Sequence, residues 1–155
     1  MDSSQLLGIT TFTFLFASFL YIGTLVFQAK KLGSIATGFT IIALLILTAG
    51  LGLRWVESYQ MGIGHAPLTN MYESVVFFAW TIIIFYLGIE WKFKTKTLGA
   101  FAVPMAFLAM AYASFAPINR GISPLVPALQ SNWLLAHVIT CFVGYAAFAI
   151  AAALG

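Results

Sequence analysis

The sequence has few charged residues. Of its 155 residues, 7% are charged and 62% are hydrophobic, and the mean hydropathy is +1.01. Soluble domains carry about 25% charged residues, so this chain lacks the polar side chains needed to cover a water-facing surface. The composition excludes a soluble domain and indicates an integral membrane protein. The net charge of +3 comes from a few lysines, which argues against nucleic acid binding.

Residues for several common chemistries are also missing. Cys141 is the single cysteine, so neither a disulfide nor a zinc site can form within the chain. A Cys-x-x-Cys-His motif, a glycine-rich phosphate loop and a Ser/His/Asp set are all absent. Glu57, Glu73 and Glu90 are far apart in the sequence, and we expect them to be isolated from one another. The sequence therefore contains no apparatus for hydrolysis.

Long apolar segments make up most of the chain. Five of them are long enough, or nearly so, to cross a membrane: residues 6–28, 34–53, 72–90, 97–115 and 133–154. Only helices and closed barrels span lipid, and no alternating pattern of barrel strands is present. We therefore predict an all-α, polytopic bundle of about five spanning helices, forming a single integral membrane domain over residues 1–155.

The positions of the basic residues predict the orientation of these helices. Five lysines follow the first and third segments: Lys30, Lys31, Lys92, Lys94 and Lys96. The other two connections contain only Arg54 and Arg120. By the positive-inside rule, the N-terminus is outside, and the connections at about 54–73 and 116–132 lie on the outer face. Both contain proline, glycine and large apolar residues, so we expect long loops that pack against the protein.

His137 is the main candidate for a functional site. It follows Trp133 by one helical turn, about 6 Å inside the outer end of the fifth segment, where an imidazole is costly unless paired. Helical spacing aligns it with Cys141, Tyr145 and Phe148. A stripe of small residues suited to helix packing lies beside it: Ala136, Thr140, Gly144, Ala147 and Ala151. Aromatic neighbours without carboxylates favour haem over a hard cation; the alternative is a structural histidine between helices.

Other candidates lie in the first outer connection. Asn70 and Glu73 have the spacing of a capping box at the start of the third segment, which is a sufficient structural explanation for both. His65, next to Gly64, is either a solvated loop residue or a supporting residue near a cofactor. Trp55 lies in the same predicted loop, whereas the other tryptophans lie mostly at segment ends.

Two motifs resemble one known family. The run Gly64-His-Ala-Pro-Leu-Thr-Asn-Met-Tyr-Glu-Ser74, followed by Val-Val-Phe-Phe-Ala-Trp80, resembles the loop and helix of the CcsA (ResC) cytochrome c biogenesis proteins. The run Leu125-Val-Pro-Ala-Leu-Gln-Ser-Asn-Trp-Leu-Leu-Ala-His-Val138 is similar to that family's approach to its first external histidine. Between them, the basic turn Glu90-Trp-Lys-Phe-Lys94 also fits. The stretch from the first motif to the end of the second, residues 64–138, is about half of the chain.

This resemblance implies a component of the System II pathway. Such a protein works with a CcsB/ResB membrane partner, carries haem b in transit to the outer face, and presents it to the Cys-x-x-Cys-His motif of apocytochrome c. It belongs to a cytochrome c synthase complex, in the bacterial cytoplasmic membrane or, if plastid-encoded, the thylakoid membrane. No hydrolytic or redox active site of its own is expected in this chain.

The resemblance also assigns residues. His137 matches one of two external histidines that ligate the haem iron, with Trp55, His65, Glu73 and Trp133 as weaker pocket candidates. The family's tryptophan-rich signature, its second external histidine and its membrane-embedded histidine should follow position 155. We therefore interpret the chain as an N-terminal portion of a longer haem-handling domain.

Two other functions fit an apolar bundle that contains a histidine. A transporter or channel subunit would use His137 to line a path, but it would need more polar residues along several helices. A b-type cytochrome subunit would need a second histidine at similar depth on a facing helix. His65 is expected in a loop, so this chain supplies one good candidate ligand.

Overall fold

The computed structural model describes residues 2–64, 66–122, 124 and 131–154. These residues form five helices: α1 (Ser3–Phe27), α2 (Lys30–Gln60), α3 (Met71–Phe93), α4 (Gly99–Phe115) and α5 (Asn132–Leu154). Four of the five are long and apolar enough to cross a membrane, and α4 is a shorter apolar helix of 17 residues. The described part of the chain contains helices and no strand, which confirms the prediction of an all-α helical bundle.

The helices pack as a bundle with small residues at the close contacts. Helix α1 lies against α2 and α4, and α3 lies against α4 and α5. The fully buried alanines come from the first four helices and from α5: Ala17, Ala36, Ala43, Ala79, Ala102, Ala106 and Ala146. Small side chains allow helix backbones to approach closely, which is the main source of packing energy between helices in lipid.

Helix α2 is longer than its apolar segment, which corrects one prediction. The predicted outer loop at 54–73 begins as helix, because α2 continues to Gln60 and measures about 46 Å at 1.5 Å per residue. Arg54 and Ser58 lie one turn apart and are both buried, so this polar extension still has a face packed on the protein. Gly62 and Gly64 follow with positive φ angles of 74° and 64°, and glycine adopts such angles without steric cost.

A buried carboxylate joins three helices at the end of the bundle where the lysines lie. Glu90 Oε2 accepts hydrogen bonds from the hydroxyl groups of Tyr86 at 2.6 Å and Tyr21 at 3.2 Å. Its Oε1 accepts one from Thr37 Oγ1 at 2.7 Å, and Lys96 Nζ lies 4.0 Å away. A buried carboxylate is tolerated only when it is hydrogen-bonded or paired, and these contacts meet that requirement for Glu90.

Gly99 allows α4 to start directly against this cluster. A Cβ atom at this position would overlap the Tyr86 hydroxyl and would lie 2.5 Å from Tyr21 Cε1. Both rings are fully buried and meet edge to face with centroids 5.6 Å apart, so neither has free space to move into.

We predict that Gly99→Ala destabilises the protein by about 1–3 kcal/mol, the usual cost of overpacking a core. Gly88→Ala is the matched control, because no atom lies within 4 Å of a Cβ built on Gly88 of α3. The control should be neutral or slightly stabilising, as alanine favours a helix over glycine. Thermal unfolding in detergent measures both, and equal stability of the two variants would contradict the packing at Gly99.

Candidate functional site

An ion pair between α2 and α3 lies at the opposite end of the bundle, which we call the Arg54 end. Arg54 Nε donates to Glu73 Oε1 at 2.8 Å. The two side chains are only 3% and 1% exposed, and the guanidinium carbon lies 4.9 Å from the centroid of the Tyr72 ring. A charged pair so deeply buried must keep all its polar atoms bonded, and this constraint locks the two helix ends together.

The second carboxylate oxygen of Glu73 binds Thr69, the residue before the N-cap of α3. Glu73 Oε2 accepts from Thr69 N at 2.9 Å and from Thr69 Oγ1 at 2.8 Å. Asn70 Oδ1 accepts from Glu73 N at 2.8 Å, so the predicted N-cap at Asn70 is confirmed. The reciprocal half of the predicted capping box is not formed, because the carboxylate points to Thr69 and Arg54.

The start of the second outer connection is fastened to the same place. Arg54 Nη2 donates to the carbonyl of Arg120 at 2.6 Å, and Asn70 Nδ2 donates to the carbonyl of Gly121 at 2.9 Å. The Arg120 side chain donates back to the carbonyl of Ser114 at the end of α4. The prediction that this connection packs against the protein is thus confirmed for residues 116–122.

Glu57 fixes the beginning of α1 at this end. Its two carboxylate oxygens accept from Ser3 N at 3.0 Å and from Ser3 Oγ at 2.5 Å. The hydrogen-bonded groups at this end belong to the start of α1, the end of α2, the start of α3 and the end of α4. The first four helices therefore alternate in direction along the chain.

His137 lies in the part of α5 that contacts the bundle least. Within the most apolar stretch of α5, 11% of the residues are buried, compared with 33–39% in the other three spanning helices. The helix is attached through Phe142, whose ring contacts those of Phe77 and Phe78 in α3 with centroids 5.6 and 6.1 Å apart. With α5 running parallel to α3, as alternating spans require, His137 lies about 7.5 Å closer to the Arg54 end than Phe142.

The His137 side chain is exposed, and its described partner is Cys141. Nε2 lies 3.6 Å from Cys141 Sγ, which confirms that the two residues share a helix face. Tyr145 and Phe148 on that face are exposed as well. Glu73 forms its hydrogen bonds with Arg54, Thr69 and Asn70. The structure therefore does not bring Glu73 and His137 together in one site.

The other predicted pocket residues are dispersed. Trp55 lies on the helical extension of α2 and is about half exposed, and Trp133 is 85% exposed at the start of α5. His65 lies outside the described residues. No group of three or more His, Cys, Asp or Glu side chains that could hold a metal ion is found in the described part of the chain. The pocket role of these four candidates, Glu73 included, stays a prediction.

The small-residue stripe of α5 is not used for packing within the described bundle. Ala136, Thr140, Ala147 and Ala151 are all exposed, whereas the buried residues of α5, Ala146, Ala149 and Ile150, lie outside the stripe. The stripe and the His137 face therefore lie on a surface of α5 that no described helix covers.

The Arg54–Glu73 pair is the feature of this site that sequence reasoning missed. A signal for it existed, because both residues lie at the same end of adjacent apolar segments and a buried charge requires a partner. The capping box supplied a sufficient explanation for Glu73 alone, and the extension of α2 that carries Arg54 inward was not foreseen.

The fold and the site define a class: an integral membrane protein built as a polytopic helical bundle, with polar anchors at one end and an exposed histidine on its last described helix. Comparison with known proteins narrows this class. Residues 68–155 match the family described as Cytochrome C assembly protein. The matched range contains Glu73, α3, α4 and His137.

Individual relatives agree with this match. The chain is 39% identical over 118 residues to the cytochrome c biogenesis protein CcsA of Trieres chinensis, covering 75% of this chain and 36% of that protein. It is 42% identical over 117 residues to the protein of the same name from Pyropia yezoensis, covering 74% and 35%. It is 41% identical over 119 residues to the protein of the same name from Prochlorococcus marinus (strain MIT 9303), covering 76% of this chain and 36% of that protein.

This chain belongs to the cytochrome c assembly protein family. It spans about 36% of the length of the relatives it matches. The resemblance found in the sequence motifs is thereby confirmed.

We predict that breaking the ion pair at the Arg54 end is strongly destabilising. Arg54→Met or Glu73→Leu alone leaves a buried charge without its partner, which costs about 3–5 kcal/mol. The double variant removes both charges and should cost clearly less than the sum of the two single changes. Unfolding in detergent of all four proteins forms the cycle. Additive losses would contradict a direct interaction between the two side chains.

Proposed function

We propose that this chain acts in the System II maturation of cytochromes c, where it helps carry haem to the outer face of the membrane. There the haem is presented for covalent attachment to the Cys-x-x-Cys-His motif of apocytochrome c. The observation that carries the proposal is the exposed imidazole of His137, on the uncovered face of α5, in a chain of the cytochrome c assembly family.

The surroundings of His137 suit haem as the cargo. A neutral imidazole is a common axial ligand of haem iron, and Cys141 is its described hydrogen-bonding partner. The exposed aromatic rings of Trp133, Tyr145 and Phe148 lie on the same helix, and they offer apolar surface to a flat macrocycle. At the Arg54 end, the carboxylate of Glu73 is paired with Arg54 and that of Glu57 is bonded to Ser3, so neither competes for the iron.

The anchored outer connection supports the proposed position of the haem site. Residues 116–122 are held by Arg54 and Asn70, and they precede the helix that presents His137. In the orientation predicted by the lysines, this end faces outside, where apocytochrome c is matured. A CcsB/ResB-type partner and the remainder of the haem pocket would meet the uncovered face of α5.

The proposal predicts that His137→Ala lowers haem retention by the full-length protein. The loss should be at least about tenfold in affinity, since even outer-shell partners of a metal ligand contribute that much. Added imidazole should restore the haem spectrum, because it replaces the missing axial ligand. The measurement is the absorption spectrum and haem content of protein purified from membranes.

Cys141→Ala is the matched control, because it removes the only described partner of His137 and leaves the imidazole in place. This variant should keep its haem. If His137→Ala keeps an unchanged spectrum and haem content, His137 is not a ligand. If Cys141→Ala loses the haem while His137→Ala does not, the thiol is the ligand and the proposal is wrong.

A further inference from the structure

A polar cleft opens at the lysine end of the bundle, far from His137. Its volume is about 670 Å³. The lining residues come from the end of α1, the start of α2 and the turn between α3 and α4: Thr24, Leu25, Gln28, Lys30, Ser34, Lys94, Thr95, Lys96 and Thr97. Three of the lining residues are lysines and none is acidic, so the cleft is shaped and charged to receive an anion.

Two of these lysines are free to bind a ligand. Among the described residues, the ion pairs involve Arg54 and Lys96, so neither Lys30 nor Lys94 has a carboxylate partner there, and both are exposed. Lys30 is also the first residue of α2, and the cap residue Ala29 makes no side-chain hydrogen bond to the helix. The uncapped N–H groups of that first turn add partial positive charge beside the cleft.

The third lysine is held in place by the fold. Lys96 Nζ donates to Ser34 Oγ at 2.8 Å and lies 4.0 Å from Glu90 Oε1. Its stem crosses Gly33, where an added Cβ would lie 2.8 Å from Lys96 Cδ. Because Glu90 partly balances this charge, Lys96 shapes the cleft, whereas Lys30 and Lys94 supply its net attraction.

The position of the cleft indicates how the anion arrives. Leu25 is the one large apolar residue in the lining, which is too little for the face of a porphyrin. Next to it, Val26 and Phe27 are exposed on the lipid-facing side of α1, where an acyl chain would run. Basic pockets between membrane helices on the cytoplasmic side are typical sites for anionic headgroups.

We propose that this cleft binds a phosphate group, presented by the headgroup of an anionic phospholipid. Lys30 and Lys94 pair with the phosphate, the hydroxyl groups of Thr95 and Thr97 supply neutral donors, and the first turn of α2 faces it. A lipid held there would join α1, α2 and the α3–α4 turn at the lysine end, where Glu90 already links three helices.

The test compares lipid retention by the protein and by two double variants. Native mass spectrometry of the full-length protein, released from nanodiscs containing phosphatidylglycerol and phosphatidylcholine, counts the lipids retained. Lys30→Gln/Lys94→Gln removes both free lysines of the cleft and should lower phosphatidylglycerol affinity by about fivefold for each lysine. The control Lys31→Gln/Lys92→Gln removes the same charge from exposed lysines outside the cleft and should leave retention within twofold.

The possible outcomes distinguish a specific site from general surface attraction, and a lipid headgroup from free phosphate. Equal losses in both double variants would show general surface attraction and would overturn the site. Equal retention of phosphatidylcholine and phosphatidylglycerol would overturn the preference for an anion. An excess of inorganic phosphate distinguishes the sources: persistence of the lipid supports a headgroup site, and its displacement would overturn the lipid as the source.

Discussion

Ionisable groups inside an apolar bundle must be paired, and the ion pair between Arg54 and Glu73 is the interaction on which the site depends. It joins the end of α2 to the start of α3, and Arg54 extends the connection to the carbonyl of Arg120. Without it, a buried charge would remain without a partner, and residues 116–122 would keep Asn70 but lose Arg54 as an anchor. The exposed His137 on α5 therefore lies toward the same end of the bundle as the rigid group of residues around Arg54 and Glu73.

The two ends of the bundle meet the same constraint with different chemistry. At the Arg54 end, Glu73 is matched by the guanidinium of Arg54, and Glu57 by the N–H and O–H donors of Ser3, in each case from a neighbouring helix. At the lysine end, Glu90 is held by three hydroxyl groups, and most of the lysines stay exposed. At the Arg54 end, the buried ion pair is neutral, whereas the lysine end keeps a net positive charge beside the cleft. This asymmetry is consistent with the two proposals, haem handling near the Arg54 end and binding of an anionic lipid at the lysine end.

Much of the fold was predictable, because hydropathy and length locate spanning helices directly. The predicted segments 72–90, 97–115 and 133–154 differ by at most three residues at either end from α3, α4 and α5. Hydropathy failed at the end of α2, since Arg54 and Ser58 are polar by composition but face the protein. The partners of Glu73 and Glu90 could not be read from spacing, because they come from other helices. His137 was singled out because a histidine within an apolar helix is rare and costly, and its role as a ligand stays a prediction.

The central claim is that the Arg54 end, with His137, faces the outside of the membrane. Cysteine labelling tests it directly in a Cys141→Ala background, which removes the single cysteine of these 155 residues. Asn119→Cys lies in the exposed connection at the Arg54 end, and Lys92→Cys lies at the lysine end. A membrane-impermeant maleimide applied to intact cells should label the Asn119→Cys protein at once and the Lys92→Cys protein only after permeabilisation. The reverse pattern would place His137 on the inner face and contradict the account.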